Sequence, residues 1–307
     1  KKNQYKRYAD QSRIYKKYYK LFNTNHTIKN AENKIQIKPG CYPIQQKARP
    51  IPYHLQEDVK KELDRLMKSG HLERLETIEE DCFVSPVVIT VKSDKSVKIA
   101  LDSRKLNECC IKKRPHMPNM EELINQISTE LSKNSTEPIW ISVIDLDYAY
   151  GQIILAYETS KHCNFAITGE KINGYYRFKK GFYGPADIPT IFQEKIDRTL
   201  DYQTPVWLND FIVVTRGTKD QHTKKLENVL NKLENEGYRA SKKKSKFYQK
   251  EATWLVHTIS QEGIRANKEK TTAISKLEHP TNTKTLKSFL GAIQYFSKFI
   301  PNISTKT

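Results

Sequence analysis

The run Pro205-Val206-Trp207-Leu208-Asn209-Asp210-Phe211-Ile212-Val213-Val214-Thr215 permits few local structures. Apolar β-formers lead up to Asn209–Asp210 and resume directly after it, which predicts a tight β-hairpin with these two residues at or near its tip. Both tolerate positive φ, so making the turn is one sufficient reason for them. A second stretch supplies another. Ile139-Trp140-Ile141-Ser142-Val143-Ile144 reads as a buried strand and leads into Asp145-Leu146-Asp147-Tyr148-Ala149-Tyr150. A carboxylate there is costly to bury unpaired, unless it caps a following helix. Where two such strands meet, their acids can hold divalent cations between them. Two Mg²⁺ roughly 3.5–4 Å apart stabilise the attacking and leaving oxygens of a phosphoryl-type displacement.

The formal net charge of +18 and pI near 9.5 favour a polyanionic partner over an acidic or membrane one. No apolar run approaches the ~18 residues that span a bilayer, and no secretory signal is visible. Five cysteines without metal-ligand spacing fit a reducing compartment. The expected location is therefore intracellular. Lys1–Lys20 interleaves five tyrosines with eight Lys/Arg. Such a segment grips a single strand by stacking and phosphate contacts, or packs its tyrosines on the main body as a solvated helix. Residues 23–34 are polar and read as a linker.

A chain of 307 residues has room for two or three subdomains, and from Pro39 it reads as globular. Leu55, Val59, Leu63 and Leu66 mark one helical face that ends at Gly70. Phe83–Lys92 and Ser96–Leu101 form a hairpin around Ser93-Asp94-Lys95. Further helical stripes are Leu123/Ile124/Ile127/Leu131, Phe192/Ile196/Leu200 after Pro189, Leu226/Val229/Leu230/Leu233 before Gly237, and Leu286/Phe289/Leu290/Ile293/Phe296 before Pro301.

Several quoted runs, in order, carry a resemblance that covers the chain from about Ile35 onward. They are Lys47–Tyr53, Phe83–Val88, Ala100–Asn107, Asp145–Ile153, Gly181–Gln193 with Gly181-Phe182-Tyr183-Gly184 and Ile191-Phe192-Gln193, Trp207–Asp210, Trp254–His257 and Leu286–Gly291. In these the chain resembles the reverse transcriptase of gypsy-type long-terminal-repeat retrotransposons. The resemblance implies an α+β right-hand polymerase, with fingers, an antiparallel palm sheet backed by helices and a partial thumb. The implied division is a basic extension and linker at 1–38, fingers at 39–118 and 153–187, palm at 119–152 and 188–261, and thumb at 262–307.

The resemblance also implies residue roles. Asp145, Asn209 and Asp210 form the catalytic centre, with Asp145, Asp210 and the Leu146 carbonyl on Mg²⁺, which Mn²⁺ can replace. Lys92, Lys98, Tyr150, Tyr183 and Gly184 would bind the nucleotide, Tyr150 lying under its sugar. Trp254, Leu255, Val256 and His257 would grip the primer. Lys242, Lys243, Lys244 and Lys246, a solvated face in any bland reading, would contact nucleic-acid backbone without reading bases. Asp102 and Arg104 are expected to bond to each other or to neighbouring backbone.

Implied partners are an RNA template, a DNA primer and deoxynucleoside triphosphates, in the cytoplasm, a virus-like particle or the nucleus. Protease, ribonuclease H and integrase motifs are missing, as expected of one piece of a polyprotein or a truncated copy. Three positions depart from the family pattern: Asn209 replaces the first hairpin aspartate, Pro185 a leucine and Val256 a glycine. The first lowers the charge offered to hard cations. Reduced activity is therefore expected, and a non-catalytic nucleic-acid binder is the rival reading.

Overall fold

Adjacent residues of the Phe211-Ile212-Val213-Val214 run point to opposite faces of a sheet, so a run apolar throughout requires cover on both sides. The computed structural model, which describes residues 2–24, 27–29, 31–92, 94–112, 117–133, 136–276, 278–295 and 299, has that arrangement. Four strands lie in the order Lys246–Gln249, Ile139–Asp145, Asp210–Arg216, Val206–Trp207, and every pairing is antiparallel. Phe211 and Val213 pack with Phe192, Ile196, Leu226 and Leu230 from helices Asp187–Thr199 and Lys219–Asn235. Ile212 and Val214 pack on the other side with Leu123 and Ile127 of helix Met120–Ser132, together with Trp254 and Ile259. Those two belong to a three-stranded sheet, Glu251–Trp254, His257–Ser260, Gly263–Ala266. One face of the palm sheet is thus covered by helices, and the other by a helix plus a small sheet.

The remaining strands form the hairpin Val87–Val91/Val97–Leu101 and a sheet ordered Leu72–Leu75, Asn173–Phe178, Asn164–Thr168. Helix Gln56–Lys68 packs on both, and Gly70 just beyond it has φ 66, where a side chain would be strained. Helix Met120–Ser132 starts with a capping box between Asn119 and Glu122, and Lys219–Asn235 with one between Thr218 and Gln221.

Residues 23–34 depart from the linker expectation. Ile28 and Ala31 are buried in the main core, the amide of Lys29 donates to Glu236 O at 2.9 Å, and Glu32–Asn33 pairs in parallel with Ile154–Leu155. A few apolar side chains and one short ladder suffice to dock a segment of polar composition. Helix Lys2–Lys17 also packs on the body, with Ile14 and Tyr18 buried and Tyr15 half-buried, whereas Tyr19 is exposed. At the other end, helix Thr283–Tyr295 leaves Leu286 and Leu290 of its expected stripe largely exposed. Phe296 and Pro301, expected to close that helix, lie outside the described residues, as does Ser93 of the expected turn. No helix among the described residues is long and apolar enough to cross a membrane.

Candidate active site

The two predicted stretches meet. Asp145 and Asp210 are direct cross-strand partners at the ends of their strands. Directly opposed residues share a face, with Cβ atoms about 4.5–5.5 Å apart. Strand alternation puts both on the side of Trp254. The hairpin turn itself is Leu208–Asn209, and Asp210 is the first residue of the returning strand, opposite Trp207.

The turn therefore differs from the expected one. Positive φ falls on Leu208 (55°), not on Asn209 or Asp210. A leucine held there costs roughly 1–2 kcal/mol, so its surroundings must hold it. Gln193, fully buried on helix Asp187–Thr199, accepts from the Leu208 amide at 2.7 Å and donates to Val206 O at 3.2 Å and Asp197 Oδ1 at 2.9 Å. The amide of Leu146 donates to Asn209 O at 2.9 Å, which ties the two acid-bearing segments together at the tip.

Asp145 already has two internal partners. Asn209 Nδ2 donates to its Oδ2 at 3.3 Å, and Lys244 Nζ lies 3.2 Å from its Oδ1, an ion pair close in distance but not aligned as a hydrogen bond. Burial raises the Asp145 carboxyl above its ordinary range, and Lys244 and Asn209 oppose that rise. Asp210 is pushed up to about 6, chiefly by burial and next by the Asp145 charge. Lys244, implied on phosphate backbone, has its ammonium on this carboxylate. The rest of the basic run is arranged differently: Lys242 and Lys243 are exposed, and Lys246 opens the edge strand. Two carboxylates and an amide oxygen are donors of the class that hard divalent cations take, so the residues present fit such an ion.

Three of the expected nucleotide residues, Lys98, Tyr183 and Tyr150, lie in contact with one another. Lys98 Nζ lies 2.9 Å from the centroid of Tyr183, whose ring is 5.0 Å from that of Tyr150, which in turn meets Phe192 at 6.0 Å. Burial pushes the Tyr150 hydroxyl up to about 12, so it stays protonated near neutrality. Burial, and then Lys92, lowers Lys98. Lys92 itself is exposed at the end of its hairpin. Gly184 has φ 147, and a Cβ there would lie 2.5 Å from Leu101 O. Only glycine fits. Asn107 secures this loop, donating to Gly184 O at 3.1 Å and accepting from the Ala186 amide at 3.0 Å. Asp102 takes two hydrogen bonds from Arg104 and one from Arg49, each 2.7 Å, and Arg104 beside it holds its carboxyl far below the ordinary range.

Trp254 is buried, and its Nε1 donates to Asp210 O at 3.3 Å. It thus links the small sheet to the acid-bearing strand. A Trp254→Phe variant keeps an aromatic ring but loses this bond. It is expected to cost about 1 kcal/mol, read as a lower denaturant midpoint at unchanged m. In the Leu255–Val256 turn the positive φ is at Leu255 (54°), so a β-branched residue at 256 meets no steric objection there. His257 pairs with Trp254 across that turn, and its ring lies 5.6 Å from Phe299.

Gln193, Asn107 and Leu208 were not assigned roles from sequence. A glutamine beside Phe192 and Ile196 on an inward helical stripe was the one available signal. Elsewhere, a groove of about 1170 Å³ is lined by Lys47, Arg74 and Tyr175 and by neither carboxylate. Glu79, Asp81 and Cys82 cluster within metal-ligand reach, but burial pushes the Cys82 thiol up to about 11, and it stays protonated.

Comparison with known proteins places the family and the fold. Residues 91–259, more than half of the chain, match the family model described as reverse transcriptase (RNA-dependent DNA polymerase). The Pol polyprotein of Drosophila melanogaster transposon 297 is 27% identical over 293 residues, covering 94% of this chain and 26% of the relative. That of transposon gypsy, from the same organism, is 26% identical over 295 residues, covering 92% and 26%. The chain therefore spans about a quarter of the length of these curated relatives. Foamy viral protease-reverse transcriptase in complex with double-stranded DNA superimposes with a TM-score of 0.80 at 22% identity, over 96% of this chain and 59% of that one. The same protein with RNA/DNA hybrid gives 0.75 at 21% identity, over 94% and 37%. These likenesses give the right-hand polymerase fold, and with the family match they establish that the chain belongs to the reverse transcriptase (RNA-dependent DNA polymerase) family.

Proposed function

We propose that this chain carries out RNA-directed DNA synthesis, in which a primer 3′-hydroxyl attacks the α-phosphate of a deoxynucleoside triphosphate and pyrophosphate leaves. The observation that carries the reading is the opposed pair of carboxylates, buried Asp145 and half-buried Asp210, at adjacent strand ends. Asp145 and Asp210, with the carbonyl of Leu146, would hold Mg²⁺ or Mn²⁺, which supplies charge neutralisation at the attacking and leaving oxygens. The chain's own residues do the positioning. Lys98 and Lys92 meet the triphosphate, Tyr183 and Gly184 lie against the nucleotide, and Tyr150 sits under the sugar, where a 2′-hydroxyl would collide with its ring. Trp254–His257 direct the primer end toward Asp210, while Lys242, Lys243, Lys244 and Lys246 face the duplex backbone.

The subdomain division is proposed as fingers 39–118 and 153–187, palm 119–152 and 188–261, and thumb from 262. Template RNA, DNA primer and their hybrid are the proposed partners, by analogy with what the foamy viral protein binds in its solved complexes. Fusion to protease, ribonuclease H and integrase modules, and work in the cytoplasm, a virus-like particle or the nucleus, belong to the same proposal.

The second reading, a nucleic-acid binder without catalysis, is favoured by one feature: the hairpin offers the uncharged amide of Asn209, already donating to Asp145, where a carboxylate would add charge for a cation. Primer extension on an RNA template with Mg²⁺ or Mn²⁺ tests the first reading. Template-directed addition is expected, at a low rate; none, even after Asn209→Asp, favours the binder. Hybrid binding is expected to weaken steeply as salt rises, since phosphate neutralisation releases counterions. A flat salt dependence would remove both readings.

A further inference from the structure

Residues 2–24 lie outside the region matched by the family model, yet they reach the polypeptide that holds Asp145. Residues 239–246 run past the end of strand Ile139–Asp145 as a strap. The Asp147 amide donates to Arg239 O at 3.0 Å, and the Ser241 amide to Asp145 O at 2.7 Å. Ser245 Oγ accepts from the Asp145 amide at 3.3 Å, and Lys244 pairs with the Asp145 carboxylate. The N-terminal helices hold this strap from its other side. The Tyr15 hydroxyl lies 3.1 Å from both Lys242 O and Ser245 O, the carbonyls on either side of Lys244. Gln11 Nε2 donates to Phe247 O at 3.3 Å, and the Ala240 amide to Leu21 O at 2.8 Å.

The clamp is itself anchored. Lys17 pairs with Glu227 at 2.7 Å, the Tyr18 hydroxyl donates to Glu227 O at 3.3 Å, and Asp10 pairs with Lys219. Packing against Phe22 at 4.9 Å and Phe247 at 5.5 Å fixes the Tyr15 ring. Lys242, Lys243 and Lys244 are consecutive like charges inside a turn that the Ser245 amide closes by donating to Ser241 O at 2.9 Å. The N-terminal contacts add a tie from the opposite side.

We propose that Tyr15 is a positioning residue for the polymerase reaction: its hydroxyl, sharing one proton between Lys242 O and Ser245 O, holds the turn that carries Lys244 and so keeps that ammonium at Asp145. This rests on the polymerase reading, and two measurements keep the two apart. The variant is Tyr15→Phe, which removes the hydroxyl and keeps the ring packing; Tyr19→Phe, on the exposed face, is the control. Amide hydrogen exchange at Ser241 and Ser245 is expected to speed up about tenfold in Tyr15→Phe, that of strand Asp210–Arg216 to stay unchanged.

In an Asn209→Asp background, single-turnover nucleotide addition is expected to slow about tenfold, with active-site amplitude and hybrid affinity intact. A purely structural tyrosine would lower the amplitude and leave the rate alone, and that outcome overturns the proposal. So does unchanged exchange at Ser241 and Ser245. If the background enzyme with Tyr15 intact extends no primer, the polymerase reading fails, and exchange alone decides whether Tyr15 holds the strap.

Discussion

An Asn209→Asp variant is expected to add nucleotides about 10²–10³-fold faster than the unaltered chain, measured by single-turnover primer extension at saturating Mg²⁺. The turn backbone at 209 already faces the site, since its carbonyl accepts from Leu146 and its side chain touches Asp145. The substitution therefore adds a charge without asking the hairpin to move, and preorganised charge is the term that dominates such chemistry. Without divalent ions the same change is expected to destabilise the fold. Aspartate loses the amide donor to Asp145 and sets a third carboxylate beside two whose ionisation is already resisted by burial. A loss on the order of 1–2 kcal/mol is expected in chelator. Added Mg²⁺ should recover it, because an ion that binds only the folded state stabilises that state. An unchanged rate would mean that the amide does not limit catalysis.

Asp210→Asn is expected to have the opposite effect on rate, a loss of about 10³-fold or more, since it removes the remaining hairpin carboxylate. It also isolates a pH effect. Asp210 titrates near 6 in the folded protein, above the ordinary aspartate value of ~4. Between those two values the folded chain binds more protons than the unfolded one, so the stability of the metal-free protein falls as pH rises from about 4 to about 6. Metal binding runs the other way, because a ligand carboxylate must be ionised, and affinity should rise across the same window. Chemical denaturation in chelator at the two ends of the window, for the parent and for Asp210→Asn, checks the sign. The variant should show the smaller difference. A parent that is more stable at the upper end would contradict the burial argument.

The palm was legible because its strands carry periodicity that only one environment satisfies. Phe211–Val214 is apolar on both faces, and Ile139–Ile144 nearly so, which marks central strands before any pairing is known. Other features were hidden for reasons of geometry. Polar composition made residues 23–34 look like a linker, because Ile28 and Ala31 are too few to make a pattern, though enough to dock. The strained turn position was misplaced because Asn209 and Asp210 have the residue types that tolerate positive φ, while Leu208, which does not, is held there by Gln193 from a distant helix. Lys244 read as one lysine in a solvated run, and nothing local distinguishes it from Lys243.

By itself, then, the chain's order of residues determined the family, the fold class and which two acids belong together, because these follow from local periodicity and from motifs short enough to read along one strand or turn. Tertiary structure alone decided that Asp145 lies between Asn209 and Lys244, that Trp254 is bonded to the Asp210 backbone, and that the N-terminal helix clamps the strap beside them. Each of those contacts joins residues dozens to hundreds of positions apart. A single hydrogen bond or ion pair at such separation leaves no periodic trace, and it exists only because the packed core brings its partners within reach.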